Sequence, residues 1–217
     1  RFIWTLAAFK TFTKQKLIQN GLLMPTIQMI MRRTRVSSDE EYLSGKAHPN
    51  AFDNATNTLA MQEWAAGMDA DKVPPMVQLG VLDDTYLGSV GKDIFQYSTV
   101  QRLYDTPVSI SRIWKNRNYS NKILVSAENS FDVNGRTLSF HWAVLRGDPA
   151  HVRITPQNET GSVVEIAIDY HPETTIPGSE RLTNLVSVGA FVHNGHYYSA
   201  PGFVTSYTLP TEVRVYD

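Results

Sequence analysis

Oxygen-bearing side chains are concentrated in the stretch SFDVNGRTLSFHW, residues 130–142, and in the Gly-Asp pair that follows it. Asp132, Asn134 and Asp148 carry hard oxygen ligands of the kind that Ca²⁺ accepts in irregular loops, although Ca²⁺ takes about six to eight of them. The segment Asp-Val-Asn-Gly-Arg also suits a hairpin turn, because Asp and Asn bond to the local backbone and Gly adopts left-handed conformations. The sequence therefore allows two interpretations, a calcium loop and a plain turn.

The histidines raise the question of a zinc site. His193 and His196 flank an Asn-Gly pair, which favours a two-residue hairpin turn and places the two imidazoles opposite each other across the strands. With His141 or His171 as a third ligand, this set would be acceptable to Zn²⁺. Paired polar residues beside a hairpin turn are equally ordinary without a metal, and no carboxylate adjoins the pair to act as a base.

Signals for hydrolytic catalysis are weak in this chain. The Gly-x-Ser-x-Gly nucleophile elbow of serine hydrolases does not occur in the sequence. Glu165 and Asp169 are an even number of positions apart in an alternating segment, so both carboxylates fall on one strand face and could serve glycoside chemistry as a pair. Solvation of a polar strand face predicts the same pattern. No sequence feature assigns a reaction.

Large aromatic side chains are candidates for ligand contact. Trp114, Tyr119, Tyr197 and Tyr198 offer rigid surfaces that stack on a sugar or hold a partner protein with little loss of rotamer entropy. Core packing accounts for such residues equally well. We take these four as the predicted binding residues.

The first part of the chain, residues 1–104, is predicted to be rich in helix. Apolar residues at three- and four-residue spacing favour helices over residues 2–20, 22–33 and 58–68. Asn20-Gly21 is predicted to cap the end of the first helix, and Ser38 with Glu41 forms a capping box. Residues 83–104 are polar and glycine-bearing, which indicates a connection between two units. Because the apolar pattern is already under way at Arg1, we expect this segment to be the end of a larger upstream domain.

The second part, residues 105–217, changes to short alternating runs between turn signals. Residues 106–114 suit a short helix or an edge strand, and the pattern does not decide between them. The spacing of the later runs favours an antiparallel β-sandwich over a parallel sheet. Six candidate strands follow from residue 122: KILVSAEN, LSFHWAVLRG, HVRITPQ, VVEIAIDYH, NLVSVGAFVHN and FVTSYTL.

The segment VSAENSFDVNGRTLSFHW resembles the start of a PKD-type immunoglobulin-like domain, in which an Asp/Asn-Gly turn leads into a strand with an aromatic-x-Trp signature. Gly147-Asp148 and GSVVEIAI are similar to later parts of that family's pattern. The predicted fold class is therefore α+β, an α-rich N-terminal segment followed by an antiparallel Ig-like or PKD-like β-sandwich. The matching residues are Ser126, Asp132, Asn134, Gly135, Leu138, Phe140 and Trp142.

The resemblance implies a non-catalytic accessory, spacer or binding module of a larger exported protein, with an extracellular, periplasmic or cell-surface location. Its expected partners are an upstream domain or partner chain of the same protein, and polysaccharide. Two alternatives stay open. The chain can be the C-terminal portion of a secreted hydrolase or lyase whose active site is completed by upstream residues, or a subunit of a surface or filament assembly joined through edge strands.

Composition narrows the classes of partner. The formal net charge of −1, from 20 basic and 21 acidic side chains, creates no global field that would attract nucleic acid or an anionic membrane. The absence of cysteine excludes disulfides and thiolate metal sites. No stretch approaches the roughly 20 apolar residues that a membrane span requires. We therefore expect no nucleic-acid partner, no membrane span and no cofactor apart from the calcium considered above.

Overall fold

A computed structural model of the chain describes residues 2–48, 57–84, 100–176, 180–209 and 215–216. The helices come first and the strands follow, so the chain is α+β. The described helices are α1 Phe2–Ala8, α2 Thr11–Gln19, α3 Leu23–Arg33, α4 Asp39–Tyr42 and α5 Thr58–Gly67. Short 3₁₀ turns lie at Gly45–Ala47 and Pro149–His151. The described strands are β1 Gly80–Asp84, β2 Val100–Thr106, β3 Ser109–Trp114, β4 Ser120–Ser126, β5 Ser139–Arg146, β6 Val152–Pro156, β7 Val163–Asp169, β8 Thr174–Thr175, β9 Leu182–Thr183, β10 Val186–His193 and β11 Gly202–Thr208.

The predicted helix over residues 2–20 is two helices in the structure, with a break at Lys10, whose ψ of 143° is not helical. Buried side chains recur every four residues through both helices, at Thr5, Phe9, Thr13 and Leu17. The predicted cap at Gly21 is confirmed. Gly21 has a φ of 68°, and the backbone N–H groups of residues 21 and 22 bond back to residues 18 and 17, which completes a Schellman motif.

The predicted capping box at the start of α4 is confirmed with one change of partner. The Ser38 hydroxyl accepts the backbone N–H of Glu41 at 3.2 Å. The Glu41 carboxylate reaches back to Ser37 rather than Ser38, and it accepts that residue's backbone N–H at 3.0 Å. This bond, together with Lys46 at 3.1 Å, lowers the pKa of Glu41 to about 2.

The strands form two main sheets. A four-stranded sheet has the order β1-β4-β7-β6 and is antiparallel throughout, and a five-stranded sheet has the order β2-β3-β11-β10-β5. In the five-stranded sheet β11 runs parallel to β3, so the prediction of a purely antiparallel arrangement is wrong there. The roughly 90 residues between the two strands include β4, β6 and β7 of the other sheet, and they give the chain the long crossover that parallel pairing requires. Residues 109–114 are therefore an interior strand and neither a helix nor an edge.

The inner faces of the two sheets share one apolar core. Trp142, on β5, packs against this core, and its indole N–H donates to the carbonyl oxygen of Gly161 at 2.9 Å. The alternation in the predicted strands therefore places apolar residues inward, as expected. The buried residues of this core are Val77, Leu79, Ile110, Ile123, Val125, Ala127, Val152, Val164, Ile166, Ile168, Val186, Val188, Ala190, Val192 and Val204.

The helices cover part of the outer face of the five-stranded sheet, and the apolar cluster between them, which includes Leu17, Ile30 and Met61, is called the helical core. Phe191 of β10 is buried in the helical core, and Leu145 of β5 packs against that core. The Tyr42 hydroxyl, fully buried, donates to the carbonyl oxygen of Ser199 at 2.8 Å. The proposed boundary at residue 104 lies inside β2, and β1 of the first segment pairs with β4 of the second. Residues 85–99 of the predicted connection lie outside the described residues.

A buried arginine joins the two sheets. The Arg112 side chain, on β3, is 1% exposed and contacts Asp84 of β1 at 3.1 Å and Asp105 of β2 at 2.7 Å. It also donates to the carbonyl oxygen of Tyr104 at 3.1 Å. Arg102 completes the network with a 2.7 Å contact to Asp84. Because a buried guanidinium needs paired charge and hydrogen bonds, this network fixes strand β2 against the sandwich.

Among the helices of the described segments the longest, α3, has 11 residues, and none is long and apolar enough to cross a membrane.

Candidate functional site

The outer face of β2, β3 and β11 forms a groove of about 520 Å³. Alternate residues of β11 line it, because successive side chains of a strand point to opposite sides of the sheet. Phe203 and Tyr207 therefore lie on the same face, four residues and roughly 13 Å apart. Tyr104, on β2, adds a third aromatic ring and is 56% exposed.

The register of the strands places polar side chains between these rings. Ser111 pairs with Tyr104 on one side and with Thr205 on the other, so the three residues form a row across the sheet. The Ser111 hydroxyl oxygen is buried and has no hydrogen-bond partner among the described residues. The floor of the groove thus has an unsatisfied hydroxyl between aromatic walls.

Further polar groups lie at one end of the groove. The Asn184 amide nitrogen donates to the backbone oxygen of Thr208 at 3.0 Å and to its hydroxyl at 2.7 Å, which fixes the orientation of the amide. Thr183 and Glu173 line the same end. The arrangement combines apolar faces with fixed hydroxyl and amide groups, which is the usual composition of a small-molecule site.

A second cleft, of about 530 Å³, lies where β5 and β7 end and β6 begins, at the open end of the sandwich. Arg146, Asp148, His151 and His171 line it. The His171 ring is held by the backbone, because Nδ1 contacts the Asp169 carbonyl oxygen at 2.8 Å and Nε2 accepts the Asp148 N–H at 3.1 Å. These partners place the proton on Nδ1 and leave neither nitrogen free to act as a base.

The four predicted binding residues do not form one surface. Trp114 is buried, and its indole N–H donates to the Ser206 hydroxyl at 2.7 Å. Tyr119 is 44% exposed and its ring meets Tyr216 edge-on at 5.0 Å. Tyr197 and Tyr198 pack against the helical core. None of the four lines the groove on β2, β3 and β11.

The predicted calcium ligands are engaged in local bonds. Asp132 accepts the backbone N–H of Asn134 at 3.0 Å and that of Arg136 at 3.2 Å, and the Asn134 side-chain oxygen accepts the Lys16 ammonium group. Asp148 lies beyond the other end of β5, where it accepts the Ala150 N–H at 2.9 Å. Over the residues that the structure describes, no three His, Asp or Glu side chains gather as metal ligands. The geometry at Asp132 is that of a turn.

The predicted opposition of His193 and His196 is wrong. His193 pairs with Tyr198 in an antiparallel bridge, so the loop between them has four residues and not two. Asn194 is the physical cause, because its side-chain oxygen accepts the N–H groups of His196 and Tyr197 at 3.1 and 3.0 Å. Its amide nitrogen donates to Val73 at 2.9 Å, which anchors the longer loop on the helical side.

The predicted carboxylate pair is ion-paired. Glu165 contacts Lys122, its diagonal neighbour on β4, at 2.8 Å. Arg153 binds both oxygens of Asp169, at 2.7 and 2.8 Å, and this hydrogen bonding holds the pKa of Asp169 below its usual value. A general acid in glycoside hydrolysis needs a raised pKa, so the environment of Asp169 is opposite to that requirement.

Part of the groove has a recognisable pattern in the sequence. In FVTSYTL the alternation places Phe203, Thr205 and Tyr207 on one face, and their aromatic and hydroxyl character could have marked that face as a binding surface. No local pattern in the sequence places Tyr104 on this face. Its position depends on a bulge at Leu103 and on the pairing of β2 with β3.

Comparisons with known proteins add little. No family model matches the chain, and no curated protein matches it. Among solved structures, a nucleoside hydrolase-related hypothetical protein from Saccharophagus degradans, described as associated with carbohydrate metabolism, is similar with a TM-score of 0.36 and 11% identity. The match covers 70% of this chain and 30% of that one, and its TM-score is too low to support an argument about function.

Proposed function

We propose that this chain is a non-catalytic carbohydrate-binding module that holds an oligosaccharide in the groove on β2, β3 and β11. The observation that carries the proposal is the alternation of aromatic rings and hydroxyl groups along that groove. The proposed context is an accessory part of a larger exported protein, for which the resemblance to PKD-type domains is the support.

The chemistry of a sugar matches the groove. A pyranose ring has apolar C–H faces and a rim of hydroxyl groups. The faces of Tyr104, Phe203 and Tyr207 suit the C–H surfaces, and the hydroxyl groups of Ser109, Thr183 and Thr205, which line the same groove, suit the rim. The volume of about 520 Å³ is within the usual range of small-ligand sites, roughly 300–1,000 Å³.

The assembly alternative receives little support from strand β2, one of the edge strands that it could use. Strand β2 is an edge of the five-stranded sheet, but it has a bulge between Arg102 and Tyr104 and carries the charged residues Arg102 and Asp105. Bulges and charges are the features by which proteins prevent edge strands from pairing with other chains.

The proposal predicts that Tyr104→Ala and Tyr207→Ala each weaken oligosaccharide binding by about tenfold, which corresponds to about 1.4 kcal/mol. The loss follows because each substitution removes a stacking face and leaves the backbone of the sheet intact. Binding is measured by a glycan array with the purified chain, followed by titration calorimetry on the oligosaccharides that bind.

Tyr119→Ala is the matched control, since Tyr119 is an exposed tyrosine outside the groove. Its affinity is expected to equal that of the unmodified chain. Circular dichroism checks that all three variants fold. A loss of binding in the Tyr119 variant with full binding in the other two, or no binding to any glycan, would contradict the proposal.

A further inference from the structure

We propose that the oligosaccharide is acidic, and that the cleft at the open end of the sandwich binds its carboxylate through Arg146 and His151. This inference rests on the carbohydrate-binding function proposed above and adds the class of sugar. The observations that carry it are that the two cavities are adjacent and that the second one contains an arginine without an ion pair.

The two cavities share a wall. Thr183 and Asn184 line both the aromatic groove and the end cleft. Thr183 belongs to the short ribbon of β8 and β9, and Thr174 and Thr175 of the same ribbon line the cleft. We therefore place a chain of sugars across Thr183 and Asn184, from the groove into the cleft, with threonine hydroxyls beside it.

Arg146 supplies a cation that the protein does not neutralise by an ion pair. It is half-buried at the end of β5, and no carboxylate of the described residues lies within ion-pair distance of it. The neighbouring guanidinium of Arg153 differs, because it is bound to Asp169. A guanidinium binds a carboxylate through two parallel N–H bonds, so an unpaired arginine in a cleft suits an acidic ligand.

His151 faces the same cleft and has an edge-to-face contact with His171 at 5.7 Å. No hydrogen bond of the His151 ring occurs within the described residues, whereas both nitrogens of His171 are bonded to the backbone. His151 is therefore the imidazole that can donate to a bound carboxylate, and His171 serves as the wall behind it.

Two carboxylates oppose an acidic ligand. Asp148 lines the cleft and accepts the Ala150 N–H at 2.9 Å, and Glu173 lines the groove. Asp148 caps the 3₁₀ turn Pro149–His151, which accounts for its position there. Because Asn caps a helix as well as Asp does, Asp148→Asn removes the opposing charge and keeps the cap.

The test measures two variants against two forms of one polymer by titration calorimetry. The probes are oligogalacturonate and its methyl ester, which has the same backbone without the charges. Arg146→Gln is expected to weaken oligogalacturonate binding about tenfold and to leave the methyl ester unchanged. Asp148→Asn is expected to tighten oligogalacturonate binding several-fold. Added salt is expected to weaken the acidic probe selectively.

The failures of the two proposals are distinguishable. Equal affinity for both probes, or for neutral glycans alone, with no effect of Arg146→Gln, overturns the acidic assignment and leaves the groove proposal standing. Tighter binding of acidic sugars by Arg146→Gln overturns it as well. No binding of any acidic or neutral glycan overturns both, because the groove itself would then have no sugar ligand. Circular dichroism of each variant establishes that it is folded.

Discussion

A neutral, partly buried histidine lies where the helices meet the five-stranded sheet. His48 Nε2 lies 2.6 Å from the carbonyl oxygen of Tyr42, and its ring packs 5.4 Å from those of Tyr42 and Phe191. Its Nδ1 is buried and has no partner among the described residues. Burial, aided by the positive charges of Arg32 and Arg35, lowers the pKa of His48 from 6.5 to about 4.

This histidine predicts a pH dependence of stability. Between about pH 7 and pH 5 the unfolded chain takes up a proton on His48 and the folded chain does not, so acid favours unfolding in that range. The free energy of unfolding is expected to fall by about 2 kcal/mol over this interval because of His48 alone. Urea titrations at several pH values measure it.

His48→Gln is the variant that isolates this effect, because an amide can donate to the Tyr42 carbonyl and does not titrate. Its stability is expected to change less between pH 7 and pH 5 than that of the unmodified chain. The exposed His196, which lies outside the helical core, supplies the control His196→Gln. An unchanged slope in the His48 variant would contradict the assignment. Glu41 and Asp169 act in the same direction at lower pH, because the stability that their lowered pKa values contribute is lost as the pH falls below the usual carboxyl range.

At the scale of elements, the backbone of the first 3₁₀ turn lies in close contact with the backbone of strand β5. Gly45, in the first 3₁₀ turn, comes so near to β5 that a Cβ on it would lie 2.5 Å from the carbonyl oxygen of Leu145. Leu145 in turn occupies the space beside Gly189, where a Cβ would lie 2.5 Å from its Cδ1 atom. The absence of side chains at Gly45 and Gly189 therefore allows the 3₁₀ turn and strand β10 to lie this close to Leu145.

We expect Gly45→Ala to destabilise the chain by about 1–3 kcal/mol, because the obstacle is backbone and cannot rotate away. Gly67→Ala is the matched control, since Gly67 lies in α5 and a Cβ there meets nothing within 4 Å. That control is expected to be neutral or to stabilise by up to about 1 kcal/mol. Thermal unfolding of both variants measures these changes in stability. Equal stability of the two variants would show that the layers can separate at no cost.

At the scale of the whole molecule, the helices and the two sheets depend on each other. The helical core includes Phe191 of β10, and the sheet core includes Val77 and Leu79 from the segment after α5. The Arg112 network ties β1 of one sheet to β2 and β3 of the other. No layer buries its apolar face alone.

The chain is therefore expected to unfold in one cooperative transition. Far-ultraviolet circular dichroism, which follows the helices and sheets, and tryptophan fluorescence should give the same midpoint in a urea titration. Trp64 packs with the helical core and Trp142 with the sheet core. Comparing the fluorescence of the unmodified chain with that of Trp64→Phe and of Trp142→Phe isolates the signal that each of these tryptophans contributes. Two separated midpoints would instead support independent α-rich and β-rich units, as the sequence analysis expected.

Local features of the structure were accessible from the sequence. The Ser38 cap and the Gly21 helix end follow from bonds within a few residues, and the later strands follow from alternating burial. The hairpin after β10 was misjudged because the Asn194 side chain bonds to Val73, far away in the chain, and holds a longer loop. The predicted binding aromatics included Trp114 because composition cannot distinguish a buried strand from an exposed one.

The sequence by itself determined the α+β class, the main helix ends and most strands, since these depend on the periodicity of neighbouring residues. Only the tertiary structure decided that β11 lies parallel to β3, that Arg112 links the sheets, and that Tyr104 joins Phe203 and Tyr207 in one groove. The physical reason is that these contacts join residues about 20 to 100 positions apart, and their energies depend on register and burial, which no local pattern encodes.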